Sequence, residues 1–253
     1  MKTKIIPYSK QFIDKDDRNA VLRVLKSDYL TQGPEVKIFE DKISSYCGVK
    51  YSVALNSATS ALHASCIALG INDQDLVWTV PITFVATANS ALYCGAEIDF
   101  VDIDADTWCI SPEKIEEKLK YNKSQNIKMP SLLIVVHLGG QSCQMEKIFH
   151  LSIKYNFKII EDASHALGGM YQNKKIGSCI YSDVVVFSFH PVKIISSGEG
   201  GIAVTNSKEV AQKIEDFRSH GIVKDKDRFL DDSHGPWYYE QQSLGFNYRL
   251  SDI

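Results

Sequence analysis

With 253 residues, 44% of them hydrophobic and 23% charged, the chain can bury one large core or two small ones. Its formal net charge of -3 offers no basic footprint for nucleic acid, and no apolar run is long enough to span a bilayer. The start, Met1 to Pro7, lacks the apolar core of a signal peptide, so the cytoplasm is the expected location. The six cysteines form no C-x-x-C pair and the seven histidines no H-x-x-x-H pair. No metal site is predicted, and most of the cysteines are read as buried thiols of a reducing compartment.

In chain order, Tyr8 to Gln11 reads as an extended entry within residues 1–13. Asp16 to Ser27 reads as an amphipathic helix with Val21, Leu22, Val24 and Leu25 on or near one face. Leu30-Thr31-Gln32-Gly33-Pro34 breaks it, and Pro34 suits the first position of the next helix. Tyr51 to Leu55 predicts a strand, and Asn56-Ser57-Ala58-Thr59-Ser60 leads from it into a helix through Leu69. Small hydroxyl residues at such a junction expose N–H groups and aim a helix N-terminus at an anion. An ordinary Ser/Thr helix cap is the other reading.

Strands are also predicted at Leu76–Val80, Glu97–Asp102 and Ser131–Val136, with a helix near Pro112–Lys120 and a polar surface loop over Tyr121–Met129. Phe157 to Glu161 is a short strand leading into Asp162-Ala163-Ser164-His165. A buried carboxylate there could pair with a cationic ring nitrogen, or could simply cap a helix. Asp183 to Phe189 is an apolar strand, followed by His190-Pro191-Val192-Lys193 and the small-residue stretch Ser196 to Gly201. Read alone, Lys193 is a surface lysine beside a turn; a lysine just past a buried strand can also lose solvation, which lowers its pKa and suits it to Schiff-base chemistry. Ile202–Thr205 and Lys208–Arg218 follow as a strand and a helix, and Lys224–Glu240 shows no clear period. The alternation of strands and helices predicts an α/β fold with a mainly parallel sheet flanked by helices. No G-x-G-x-x-G follows the first strand, which argues against a plain dinucleotide binder.

Five stretches carry a resemblance: Asn56 to Leu62, Pro81 to Thr87, Glu161 to Ala166, Phe187 to Gly201, and Gly245 to Leu250. At these positions the chain resembles the DegT-type sugar-nucleotide aminotransferases of fold type I, which depend on pyridoxal 5'-phosphate. The likeness runs from about Tyr8 to Ile253. It implies that Lys193 holds the cofactor covalently and moves the proton, and that Asp162 pairs with the pyridine nitrogen. It implies further that Thr59, Ser60 and Ser188 hold the phosphate and that Phe84 stacks on the ring. His165 is either a neighbour of the phenolic oxygen or a core histidine. Asn247 is expected to reach the neighbouring cofactor across a homodimer interface, although read alone it is a turn asparagine.

Leu30-Thr31-Gln32-Gly33-Pro34, Phe189-His190-Pro191-Val192-Lys193 and Arg218-Ser219-His220-Gly221-Ile222 point to the pseudaminic acid branch of the family. There the expected reaction moves an amino group from glutamate to C4 of a UDP-linked 4-keto-6-deoxy-N-acetylhexosamine. Tyr8, Leu30, Thr31, Gln32, Gly33 and His190 become candidate sugar-nucleotide contacts. Another keto sugar, or cofactor binding without turnover, are the alternatives. Cys109, where the family commonly has asparagine, and the loop His137 to Ser142 depart from the pattern. Family members continue past Ile253 into a smaller C-terminal domain, so the chain reads as the large domain without it.

Overall fold

The computed structural model describes residues 6–253. A seven-stranded sheet forms the centre. Its strands are β1 (Tyr51–Leu55), β2 (Leu76–Thr79), β3 (Glu97–Phe100), β4 (Leu132–Val136), β5 (Lys158–Asp162), β8 (Val184–Ser188) and β9 (Gly201–Thr205). The missing numbers, β6 (Met170–Tyr171) and β7 (Lys174–Lys175), form a small hairpin beside it. The strand order is β1-β9-β8-β5-β4-β2-β3. From β3 to β8 all neighbours are parallel, whereas β9 runs antiparallel to both β8 and β1. The sheet is therefore mainly parallel, with its one reversal at β9.

Alternation along the strands explains the layers. Val184 and Val186 join the core beneath α3 (Ala58–Ala68), α4 (Ala86–Leu92) and α7 (Lys208–Arg218), while Val185 and Phe187 face α2 (Pro34–Cys47). Leu133 and Val135 of β4 point to that second side as well, against α5 (Pro112–Ser124) and α6 (Met145–Tyr155). A parallel sheet covered on both faces reads as continuous apolar runs, which is why its inner strands β4 and β8 match the predicted ones to within a residue at each end.

Three expectations change. The stretch predicted as a surface loop from Tyr121 instead continues α5 to Ser124, because Asn122 is buried and its amide reaches the Lys128 carbonyl (3.0 Å). The first helix, α1 (Lys15–Leu25), buries only Val24, leaving Leu22 and Leu25 about half exposed. α4 and α6 fall in stretches for which no helix was predicted.

The Leu30–Gly33 break is held from the far end of the chain. Thr31 bridges Ser251, and the Asp252 N–H donates to the Leu30 carbonyl (3.0 Å). Gly33 occupies the cap position of α2 without a side chain of its own. The buried Asp252 carboxylate takes over that role, accepting from Gly33 N–H (2.9 Å) and Glu35 N–H (3.0 Å). Asp252→Ala is therefore expected to cost about 1–2 kcal/mol, the range for a lost N-cap. A lower urea midpoint at unchanged slope would register it; an unmoved midpoint would show that water replaces the carboxylate.

Candidate active site

The candidate residues gather where β5 and β8 end and α3 begins. Asp162 is the last residue of β5, and the parallel register sets it opposite Val186, two residues before Ser188 ends β8. Its buried carboxylate is held from two sides. Thr87 of α4 donates to Oδ2 (2.7 Å), and Ser164 donates to Oδ1 through its hydroxyl (2.6 Å) and its N–H (3.2 Å). Because Thr87 spends its proton on Asp162, the 2.8 Å contact between Thr83 and Thr87 has Thr83 as donor. Glu161 is engaged elsewhere: His137 Nε2 lies 2.7 Å from Oε2, and Ser182 donates to Oε1 (2.5 Å). His137 Nδ1 accepts the Cys143 N–H (3.1 Å), so the ring proton sits on Nε2 and points at Glu161.

Lys193 stands on the loop between β8 and β9, whose base is closed by Phe189 N–H to Gly200 O and Ser197 N–H to Phe189 O (both 2.9 Å). Within it, Lys193 N–H donates to the His190 carbonyl (2.8 Å), and the His190 ring accepts the Val192 N–H (3.3 Å). His190 thus shapes the turn that presents the lysine. Burial lowers the pKa of Lys193, and the opposing attraction of Asp162 does not restore it. Half-buried His165 is lowered too, first by burial and then by the charge of Lys193, with Asp162 working the other way. Its Nδ1 accepts the Gly139 N–H (3.2 Å). Lys193, Asp162 and His165 therefore share one electrostatic neighbourhood.

The start of α3 completes the group. Ser57 caps it, accepting from Ser60 N–H (3.1 Å), while the Ser60 hydroxyl donates to Asn56 Oδ1 (2.6 Å). The first-turn N–H groups of Ala58 and Thr59 have no intrahelical acceptor, which is the arrangement that favours an anion. Gly201 packs against this turn so closely that a Cβ there would lie 2.3 Å from Ala58 N and from the Ser57 carbonyl carbon. The buried Ser188 hydroxyl accepts the His190 N–H at 3.5 Å.

Other candidates lie at the surface. Phe84 is 71% exposed on the loop before α4, and Asn247 is exposed, with its carbonyl 3.5 Å from its own Asn56 amide. Tyr8 is 98% exposed and Leu30 half exposed. Gln32 and Gly33 line a cavity of about 480 Å3 between α2 and α7, together with Arg218, Arg228 and Arg249; Lys193 is not part of its wall. Thr87, Ser164 and Gly201 carry no role in the sequence reading, whereas Ser57 fills the Ser/Thr cap read at the Asn56–Ser60 junction. All four lie inside or beside the stretches quoted above, and a hydroxyl two residues after Asp162 was the one available signal.

A model of the DegT/DnrJ/EryC1/StrS aminotransferase family matches residues 11–253. The chain belongs to that family. It is 45% identical over 249 residues to a Campylobacter jejuni protein named UDP-4-amino-4,6-dideoxy-N-acetyl-beta-L-altrosamine transaminase, covering 98% of this chain and 62% of that one. The solved structure of Helicobacter pylori PseC, described as an aminotransferase involved in the biosynthesis of pseudoaminic acid, superposes with a TM-score of 0.86 at 35% identity. It is matched over 98% of this chain and 62% of its own. A sugar aminotransferase from Streptococcus pneumoniae, solved in its PMP form, gives a TM-score of 0.84 at 28% identity over 98% of this chain and 65% of its own. The chain thus spans 62% of the length of the curated relative. These likenesses carry the fold-type-I architecture, and the α/β sandwich described above is of that class.

The lysine makes a signed prediction. Its pKa in the folded chain lies below the 10.5 of a free lysine, so between the two values the unfolded chain binds more proton and stability rises with pH. The stability of the native chain relative to Lys193→Met is expected to be lowest below the depressed pKa and to climb as pH approaches 10.5. Urea titrations at stepped pH would measure it. A difference that stays flat would mean that Lys193 titrates as a free amine.

Proposed function

We propose that the chain is the cofactor-binding large domain of a pyridoxal 5'-phosphate-dependent aminotransferase acting in nucleotide-sugar biosynthesis. The observation that carries this reading is the convergence of a burial-depressed Lys193 with Asp162, His165 and the open N-terminus of α3. The residues present fit the cofactor: an amine for its aldehyde, a buried carboxylate for its ring nitrogen, and unpaired N–H groups beside hydroxyls for its phosphate. Pyridoxal phosphate, when bound, supplies an electron-accepting ring conjugated to the carbon that receives the amino group.

The protein's share is binding and proton movement. Asp162, fixed by Thr87 and Ser164, would keep a proton on the ring nitrogen. Ala58 and Thr59 N–H, with the hydroxyls of Thr59, Ser60 and Ser188, would hold the phosphate; for Ser60 that means turning its hydroxyl from Asn56. Lys193 would anchor the cofactor, and once displaced by the amino donor its neutral amine would take and return the proton of the donor carbon. Phe84, exposed and free of cover within the protomer, would lie on the ring face. Asn247 of the partner subunit would complete the phosphate site in a homodimer.

On this reading glutamate is the amino donor and a UDP-linked 4-keto-6-deoxy-N-acetylhexosamine the acceptor, as the name of the Campylobacter jejuni relative suggests. Tyr8, Leu30, Thr31, Gln32, Gly33 and His190 are the positions through which the sugar nucleotide would be chosen. The six free thiols fit a reducing compartment such as the cytoplasm. Among the described residues no helix is long and apolar enough to cross a membrane.

The test begins with the protein, pyridoxal phosphate and borohydride, followed by peptide mass mapping. The cofactor is expected on Lys193 and nowhere in Lys193→Ala. Adding glutamate before reduction should release 2-oxoglutarate in the native chain and about 10²–10⁴-fold more slowly in Lys193→Ala. Labelling that survives in Lys193→Ala would sink the assignment.

A further inference from the structure

β1 is an edge strand of the seven-stranded sheet, and its outer side carries no further strand among the described residues, only an isolated bridge from Leu55 to Arg249. At Ala54 two charged side chains take the place of a strand. Ala54 N–H donates to Glu40 Oε1 (2.9 Å), and its carbonyl accepts from Arg218 Nη1 (2.6 Å). The same Arg218 nitrogen donates to the same Glu40 oxygen (2.6 Å), closing a ring on one residue. Glu40 is 2% exposed, and the Arg218 side chain 17%. Two residues on, Asn56 N–H donates to the Tyr248 carbonyl (2.8 Å), and Tyr248 N–H donates to the carbonyl of Arg218 (2.9 Å). Arg218 therefore holds β1 with its side chain and the Asn247–Tyr248 segment with its backbone. Immediately beyond lie Asn56, Ser57 and Ser60, the cup at the start of α3.

A buried ion pair is a weak source of stability, since desolvation offsets most of its attraction. What it does here that an apolar pair could not is satisfy an N–H and a carbonyl of one edge residue together. We propose that Glu40 and Arg218 are positioning residues for the phosphate cup. By clamping Ala54 and the Tyr248 segment to the same edge, they set where Asn56 to Ser60 and Asn247 stand. The inference rests on the proposed function for its ligand, and on the hydrogen bonds alone for its geometry.

The test compares pyridoxal phosphate with pyridoxal, which has the aldehyde but no phosphate. Binding of each is followed by visible absorbance in the native chain, Arg218→Met, Arg218→Lys and Glu40→Gln. The native chain should prefer the phosphorylated compound. Arg218→Met is expected to lose that preference by roughly tenfold, the worth of one hydrogen bond to a charged group, while pyridoxal binding holds. Arg218→Lys should recover part of it, and Glu40→Gln serves if Arg218→Met does not fold.

Amide hydrogen exchange in the protein without ligand gives the second reading. Asn56, Ser60 and Ala61 should exchange faster in the variants, with β4 and β5 unchanged. Unaltered exchange at those three amides overturns the inference, as does a phosphate preference equal to that of the native chain. Equal losses for both compounds with faster exchange throughout would also overturn it, showing general destabilisation. If the native chain takes up neither compound, the proposed function fails, and exchange alone decides the clamp.

Discussion

The register of β5 against β8 decides where the chemistry can stand. Ile160 to Asp162 pair with Val184 to Val186, and the Ala163 N–H adds a further bond to the Val186 carbonyl (2.9 Å). Both strands run the same way and both are buried on their two faces, so their carboxyl ends open together at one edge of the sheet. Any polar group at that edge is taken from water and must find partners in the protein. Asp162 finds Thr87 and Ser164; Glu161, one residue earlier and so on the opposite face, finds His137 and Ser182. One step of strand alternation separates a carboxylate facing the lysine from one consumed by the core.

Burial also shifts the lysine toward its neutral form. An amine in water holds its proton until well above neutral pH. Removing that water favours the neutral form, and Asp162 opposes the change without reversing it. His165 feels both influences in the same sense, with the lysine charge adding to the cost of its own. Of these three groups Asp162 alone has hydrogen-bond donors arranged for its charge. Burial, and for His165 the lysine charge, thereby shift both bases toward their neutral forms.

The strands were legible because Leu132 to Val136 and Val184 to Phe187 are uninterrupted apolar runs, which a sheet covered on both sides requires. α7 lies where it is expected, from about Lys208 to Arg218: Ser207 caps it, accepting from Val210 N–H (3.3 Å), and Ala211, Ile214 and Phe217 form its buried stripe. α5 ran past its predicted end because Asn122 pairs with the backbone instead of facing water, and polarity alone does not announce such a partner. In the site, Lys193 and Asp162 follow apolar strands, but position alone reads as a surface lysine and a helix cap; the motifs around them carry their roles. Thr87 was not legible, since a hydroxyl in an undeclared helix has no period and its partner lies 75 residues away. Arg218 and Glu40 are 178 residues apart, a pairing that only the folded chain reveals.

The structure also divides its candidates by exposure. Asp162, Ser188 and Ser60 sit at strand ends and in the first turn of a helix, where packing and hydrogen bonds fix them, while Lys193 and exposed Phe84 stand on loops beside them. Those assigned to the sugar nucleotide sit on exposed segments, from Tyr8 through Leu30 to His190, and Asn247 is equally open. Such an arrangement suits a family in which one cofactor serves different sugars, because loops can change without disturbing the sheet that aims the reactive groups. It also explains why β1 needs its clamp. The strand that leads into the proposed phosphate cup is one edge of the sheet, paired with an antiparallel neighbour on one side and bridged only at Leu55, to Arg249, among the described residues on the other. Without Glu40 and Arg218 on the other side, the buried Ala54 N–H and carbonyl of an edge strand would lose the side chains that engage them, just before the proposed cup.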